Sequence, residues 1–386
     1  MESQTEPTVL QVRALRATVD DVMAIDDVTE DVETIANPLL RVNRREDELQ
    51  RHVIRFRGHL LLPSEAAFSY LFDRFHALGF TPLLREDEDK QGEVVLAIPG
   101  QLKKANQRIG VAAALFFFTL LSCLFAGAQM VDGLTGTNLN LLDGIPFAAA
   151  LLAILAAHEF GHYLVARRLG TPVSLPYFIP MPLGPFGTLG AVINMTAPPR
   201  NRRHLLAIAV AGPLAGLVLA VPLLIAGLRL SSIEPLPIGV DYMMEGNSIL
   251  YAALKFLVFG RLLPAGGEDV FIHQVAFAAW AGLLVTGLNL IPAGQLDGGH
   301  ILLALTGERI AGYVYWIVIA AMAILAFFWI GWLLWLLLIL VFGRVRIAPL
   351  DEITQLSTPE RLIAIFTLLV FFLVFTPIPL TVVNAS

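Results

Sequence analysis

The chain has 386 residues, 56% of them hydrophobic and 15% charged, with a formal net charge of −6. A chain this apolar is excluded from the ordinary soluble class and reads as a membrane protein, and its acidic balance gives no reason to expect a nucleic-acid partner. A single cysteine, Cys123, excludes a disulfide framework and a thiolate metal site, so any metal must be held by His and carboxylate groups.

The chain opens with an acidic stretch in which "VDDVMAIDDVTEDVETIA" shows weak helical periodicity. Residues 1–40 are therefore expected to form a solvated acidic arm rather than a partner helix. The start has neither the basic-then-apolar layout of a secretory signal nor the Arg- and Ser-rich look of a transit peptide, and is read as retained and cytoplasmic. Residues 41–100 are expected to form a small soluble α+β domain of β-α-β-β order. "RHVIRFRGHLLL" alternates as a strand, Pro63 and Ser64 open a helix through "EAAFSYLFDRFHAL", Gly79 stops it, and "TPLLRE" and "GEVVLAI" flank a polar turn. His52, His59 and His76 share no ligand spacing and are assigned no chemistry.

Residues 101–386 are expected to form a polytopic α-helical membrane domain of about seven spans. These are Ile109–Val131, Pro146–Ala166, Leu205–Leu228, Ile272–Ile291, a hairpin of two helices inside Gly312–Phe342 divided near Gly331, and Leu362–Phe375. Between them the cations collect on one side: Lys103, Lys104 and Arg108, then Arg167, Arg168, Arg200, Arg202 and Arg203, then Arg344, Arg346 and Arg361. The positive-inside rule makes that side cytoplasmic, with the N-terminus, in a multi-pass protein of the cell (cytoplasmic) membrane. The acidic loop from Ser231 to Phe271 goes to the opposite face, where "ILYAALKFLVFGRLL" is suited to the membrane interface.

Span two carries "HEFGH". His158 and His162 stand one helical turn apart on one face, and Glu159 lies about 60° around the helix from His162. Two imidazoles on a rigid element, with a carboxylate beside them, suit a zinc hydrolase in which an open position holds water. Ionisable groups inside a membrane cost at least a few kcal/mol each, so idle ones are rare. Arg167 lies nine positions beyond His158, which puts the site roughly 13 Å inside the cytoplasmic rim of a core about 30 Å thick.

Two His do not complete a catalytic zinc site. Asp241, Glu245, Glu268 and Asp269 fall in the outward loop, on the wrong face. Asp297 follows span four in "GLNLIPAGQLDGGHIL", where Asn289, Pro292 and a Gly-rich run break the helix. Broken backbone at depth is tolerated where it lines an enclosed or watery cavity.

HEFGH and NLIPAGQLDGG, each on its own apolar segment, together resemble the site-2 protease family of intramembrane zinc metalloproteases, over about Gly144 to His300. "AGPLAG" at Ala211–Gly216 looks like that family's small-residue helix contact. The GQLDGG form and the α/β front are similar to its EGY-like branch in chloroplasts and photosynthetic bacteria. The resemblance, like the spacing, implies one zinc per chain on His158, His162 and Asp297, with Glu159 as general base. It implies hydrolysis of single-span membrane substrates within the lipid bilayer, near its cytoplasmic half. The inserted PDZ-like domain of many relatives is not seen, which leaves substrate selection to the front domain.

Asn289 is expected to bond substrate backbone or the developing oxyanion, or else to cap the Pro292 break. Gly187 and Gly190, in "GPFGTLGAVINMTAP", are candidate substrate-binding positions on an extended edge, or parts of a re-entrant shield. His300 is read as a supporting or rim residue, and His204 and His273 as interface residues. Two rivals use the same groups. One is a metalloprotease with Glu308 as third ligand; the other is a metal or ion transporter, for which no internal repeat speaks and in which Glu159 has no obvious work.

Overall fold

The computed structural model describes residues 8–34, 50–87, 92–102, 107–132, 139–237, 239–343 and 348–383. Lys103, Lys104, Arg344 and Arg346, used above for orientation, lie outside these residues, as do 1–7 and 35–49 of the acidic arm and its junction.

The front of the chain holds α1 (Val9–Asp20), β1 (Met23–Thr34), β2 (Gln50–Leu60), α2 (Ser64–Ala77), β3 (Phe80–Glu86) and β4 (Glu93–Pro99). The strands make an antiparallel sheet in the order β1-β2-β4-β3. This corrects the solvated arm. Thr8 and Gln11 form a capping box that starts α1, and β1 pairs with β2 from Met23↔Leu60 to Thr34↔Gln50. Leu15, Val19, Val22 and Met23 are buried in the front core. A few well-spaced apolar residues suffice to dock these elements, while the acidic ones between them keep the helical and strand periods weak.

β3 is not a free edge. The Leu84 N–H donates to the Leu350 carbonyl at 2.9 Å, and the Glu352 N–H donates to that of Leu84 at 3.1 Å. On its other side the same strap donates from Leu350 and Asp351 N–H groups to the Pro199 and Arg200 carbonyls. Arg203 adds a 2.9 Å ion pair with Glu65, and Arg200 stacks on Phe72. The cation-rich end of the membrane body is thus the end that meets the front sheet. Leu350 is 1% exposed within the front core. Leu350→Ala is therefore expected to destabilise the front sheet by about 2–5 kcal/mol, read as faster amide exchange in β3 than in wild type.

The membrane body runs α3 (Ile109–Asp132), α4 (Ile145–Arg168), β5 (Tyr177–Pro180), β6 (Thr188–Val192), α5 (Arg202–Arg229), β7 (Ser232–Pro235), β8 (Tyr242–Glu245), α6 (Ile249–Phe259), β9 (Glu268–Phe271), α7 (Gln274–Asn289), α8 (Asp297–Thr306), α9 (Glu308–Leu325), α10 (Gly331–Phe342), α11 (Thr358–Val374) and β10 (Leu380–Val383). The short ladder β7–β9 closes the acidic loop on itself, and β8–β10 ties that loop to the end of the described chain.

Among the described residues, four helices are long and apolar enough to cross a membrane: Ile109–Val131, Leu141–Arg168 with its leading 3-10 turn, Arg202–Arg229 and Glu308–Leu325. The sequence led to about seven spans. The difference lies in α7, α10 and α11, which have 16, 12 and 17 residues. α7 has 16 residues, about 24 Å of helix, and nearly every side chain from Ala276 to Leu288 is buried. A helix walled in by protein need not match the thickness of the bilayer, and hydropathy alone does not separate it from a lipid-facing one. The break in the α9–α10 hairpin falls at 326–330, so Gly331 opens α10 instead of dividing the turn.

Candidate metal centre

α4 is built for enclosure. Pro146 stands in its first turn, where no helical donor is lost, and the apolar run behind it buries Leu151, Leu152, Ile154 and Leu155. His158 and His162 then appear on its protein-facing side at 3% and 5% exposure, with Glu159 between them at 5%. The carboxylate that meets both imidazoles comes from another element.

α7 ends at Asn289, and Pro292 cannot continue it. The chain turns through Ala293 and Gly294 and re-enters a helix at Asp297, the first residue of α8. Gly298 and Gly299 allow this re-entry. A Cβ on Gly299 would stand 2.5 Å from the Gly294 carbonyl oxygen and 2.8 Å from Ala293 backbone, and one on Gly298 would collide with the Leu290 carbonyl. The first turn of α8 can therefore press against the break, which carries Asp297 to α4.

The result is a triangle. Asp297 Oδ2 lies 3.2 Å from His158 Nε2 and 3.2 Å from His162 Nε2, and the two imidazole nitrogens are 3.2 Å apart. These residues are the one group of three or more His, Cys, Asp or Glu ligands that converge for a metal among the described residues. The donor set fits zinc: tetrahedral ligands at bonds of about 2.0 Å stand about 3.3 Å from one another, so an ion can bind all three without moving them apart. The His162 Nδ1–H donates to the Ile208 carbonyl on α5 at 2.7 Å, which leaves the Nε2 lone pair for the metal side.

A cavity of about 180 Å³ opens beside the triangle, lined in part by Glu159, Asn289, Gln295 and His300 and, on the β6 side, by Ala191, Val192, Ile193 and Met195. Glu159 thus shares the space in which the three ligand atoms meet. Asn289 Nδ2 is 3.2 Å from His158 Nε2, close to the centre as well as to the break. His300 is buried at 7% exposure and lines the cavity without joining the ligand triangle.

Gly187 and Gly190 are not among the residues that line this cavity. Gly187, with φ +71°, backs onto the Ser122 carbonyl of α3, where a side chain would collide, so its work is packing. Gly190, with φ +99°, precedes the residues of β6 that do face the cavity. Glu308 opens α9 and belongs neither to the triangle nor to the lining. His273 is the N-cap of α7, accepting from the Val275 N–H, and His204 lies in the first turn of α5. The Ile208 carbonyl is invisible in the sequence, because a backbone acceptor leaves no residue-type signal.

Residues 146–329 match the family model described as Peptidase family M50. The chain is similar to the probable zinc metalloprotease EGY2, chloroplastic, of Oryza sativa subsp. indica, with 34% identity over 307 residues, 77% of this chain and 55% of that protein. The corresponding Arabidopsis thaliana protein is 36% identical over 238 residues, 61% of this chain and 42% of that one. The probable zinc metalloprotease EGY1, chloroplastic, of Arabidopsis thaliana is 34% identical over 170 residues, 43% of this chain and 30% of its own. The chain thus spans about half the length, 55%, of the first of these relatives. No solved structure matches it.

Proposed function

From the premise that the chain carries a Peptidase family M50 domain of the site-2 protease type and is homologous to the EGY zinc metalloproteases, we propose that it is an intramembrane zinc metalloprotease. Its substrates are membrane proteins with a single span, cut near the half of the bilayer that adjoins the cation-rich end of the membrane body. The observation that carries this reading is the convergence of His158, His162 and Asp297, mutually 3.2 Å apart, beside the buried Glu159.

His158, His162 and Asp297 would hold one zinc ion. Zinc in such a site supplies Lewis acidity, which polarises a peptide carbonyl and makes a water molecule easier to deprotonate. Glu159 takes the proton from that water and hands it to the departing amine. The Ile208 carbonyl keeps His162 in the tautomer whose Nε2 lone pair faces the space shared with His158 and Asp297, where it would serve as a ligand. Asn289, an amide at the edge of the same cavity, offers an N–H to the substrate carbonyl as its oxygen gains charge. β6 presents extended backbone at the cavity wall, to which an unwound substrate segment can add.

The front domain is assigned to substrate selection, because its sheet meets the cation-rich end of the membrane body through the Leu350 strap. The chloroplastic designation of the relatives favours a chloroplast membrane over the cytoplasmic membrane expected from the sequence. Co-expression with a panel of tagged single-span proteins tests the activity. New fragments ending within the span, formed by the purified pair and abolished by a zinc chelator, are expected; the same fragments formed in the presence of chelator would overturn it.

A further inference from the structure

The spacing of the two histidines on α4 is repeated on the helix that faces it. Gly212 and Gly216 stand one turn apart on α5, and they are not equivalent. A Cβ on Gly216 would rest 3.4 Å from His158 Cβ and Nδ1, close to ordinary contact. A Cβ on Gly212 would overlap the His162 ring, colliding with Nε2, Cδ2 and Cε1. Four residues before Gly212 is Ile208, whose carbonyl accepts from His162 Nδ1 at 2.7 Å. In a helix that carbonyl belongs to the turn closed by residue 212, and its second lone pair remains for another donor. The imidazole lies over the 208–212 turn because that turn carries no side chain at its end.

We propose that Gly212 is a positioning residue for the metal centre. Its bare Cα admits the His162 ring to the Ile208 carbonyl, and the carbonyl fixes the proton on Nδ1 and turns Nε2 toward His158 and Asp297. This rests on the zinc reading and deepens it. Helix-to-helix closeness alone is a different effect, and Gly161 separates the two. A Cβ there would meet the Ala211 carbonyl oxygen at 2.6 Å and Ala215 Cβ at 3.1 Å, wedging the same helix pair through α5 backbone and an alanine methyl, whereas one on Gly212 meets the His162 ring itself.

The test uses the full chain in detergent, stripped of metal, with zinc affinity measured by chelator competition and the coordination sphere read from the visible spectrum of the cobalt(II) form. Gly212→Ala is expected to weaken zinc binding by about 10- to 100-fold, the usual consequence of losing a group that orients a ligand, and to change the cobalt spectrum. Gly216→Ala is expected to stay within about 3-fold of wild type, well below that range. Gly161→Ala is expected to lower the thermal midpoint of the metal-free protein while keeping the wild-type cobalt spectrum.

Unaltered affinity in Gly212→Ala, or an equal loss in Gly161→Ala, overturns the positioning role while leaving the zinc reading intact. A wild-type protein that binds no zinc overturns both. Should Gly212→Ala fail to accumulate, side-chain nitrogen NMR of the wild-type zinc form decides: a proton on His162 Nδ1 supports the inference, and a proton on Nε2 overturns it.

Discussion

Glu159→Gln is expected to lower peptide-bond hydrolysis by about 10²- to 10⁴-fold, the usual worth of a positioned general base, with zinc content unchanged. The expectation follows from the division of labour on one turn of α4. His158 and His162 face the ligand triangle, whereas Glu159 is excluded from it yet lines the same cavity. Glutamine preserves the volume and a polar end in a place that is 5% exposed, so the helix should remain folded, but an amide cannot accept and return a proton. Quantified fragment release and metal analysis on the same preparation check both halves. Hydrolysis within 3-fold of wild type would remove Glu159 from the proton path, and loss of zinc would make it part of the ligand set.

That the site was legible in sequence while parts of the fold were not has a physical reason. A histidine or carboxylate in an apolar helix is expensive, so its presence is informative, and the 3.6-residue period says which of them share a face. The same reasoning found Asp297, because a Pro- and Gly-rich break in an apolar run needs an enclosed setting. The acidic opening segment failed the opposite way. Val19, Val22 and Met23 bury fully in the front core, but their acidic neighbours dominate any window average.

Backbone contributions left no trace. Neither the Ile208 carbonyl nor the Leu350 strap is marked by residue type, since any side chain can stand on a carbonyl or in an extended connection. The small residues of "AGPLAG" did signal close helix contact. They could not say that Gly212 admits an imidazole whereas Gly216 only touches one, because that depends on the rotation of α5 against α4. The span count is similarly a tertiary property: α7 is as apolar as a span, but it is short and its side chains are buried by its neighbours.

Asp297→Asn is expected to weaken zinc binding by more than the roughly 10- to 100-fold that follows loss of a supporting group, and to abolish hydrolysis with it. Asp297 Oδ2 is the vertex shared by both imidazoles, 3.2 Å from each. It is the only anionic member of the triangle, so its charge is what offsets the dication in a buried setting where water cannot. Asparagine keeps the shape and one oxygen, and α8 would still be placed by Gly298 and Gly299, so the change isolates the charge. Thermal unfolding supplies a second readout. A ligand that binds only the folded state stabilises it by about 4 kcal/mol at a thousand times its dissociation constant. Wild-type protein in excess zinc should therefore melt above its chelated form, whereas Asp297→Asn should melt at one temperature in both. An Asp297→Asn protein that keeps its zinc and its zinc-dependent midpoint would show that the third ligand lies elsewhere. Zinc lost in Asp297→Asn but kept in Glu159→Gln, with hydrolysis falling in both, is the pattern that separates a ligand from a base.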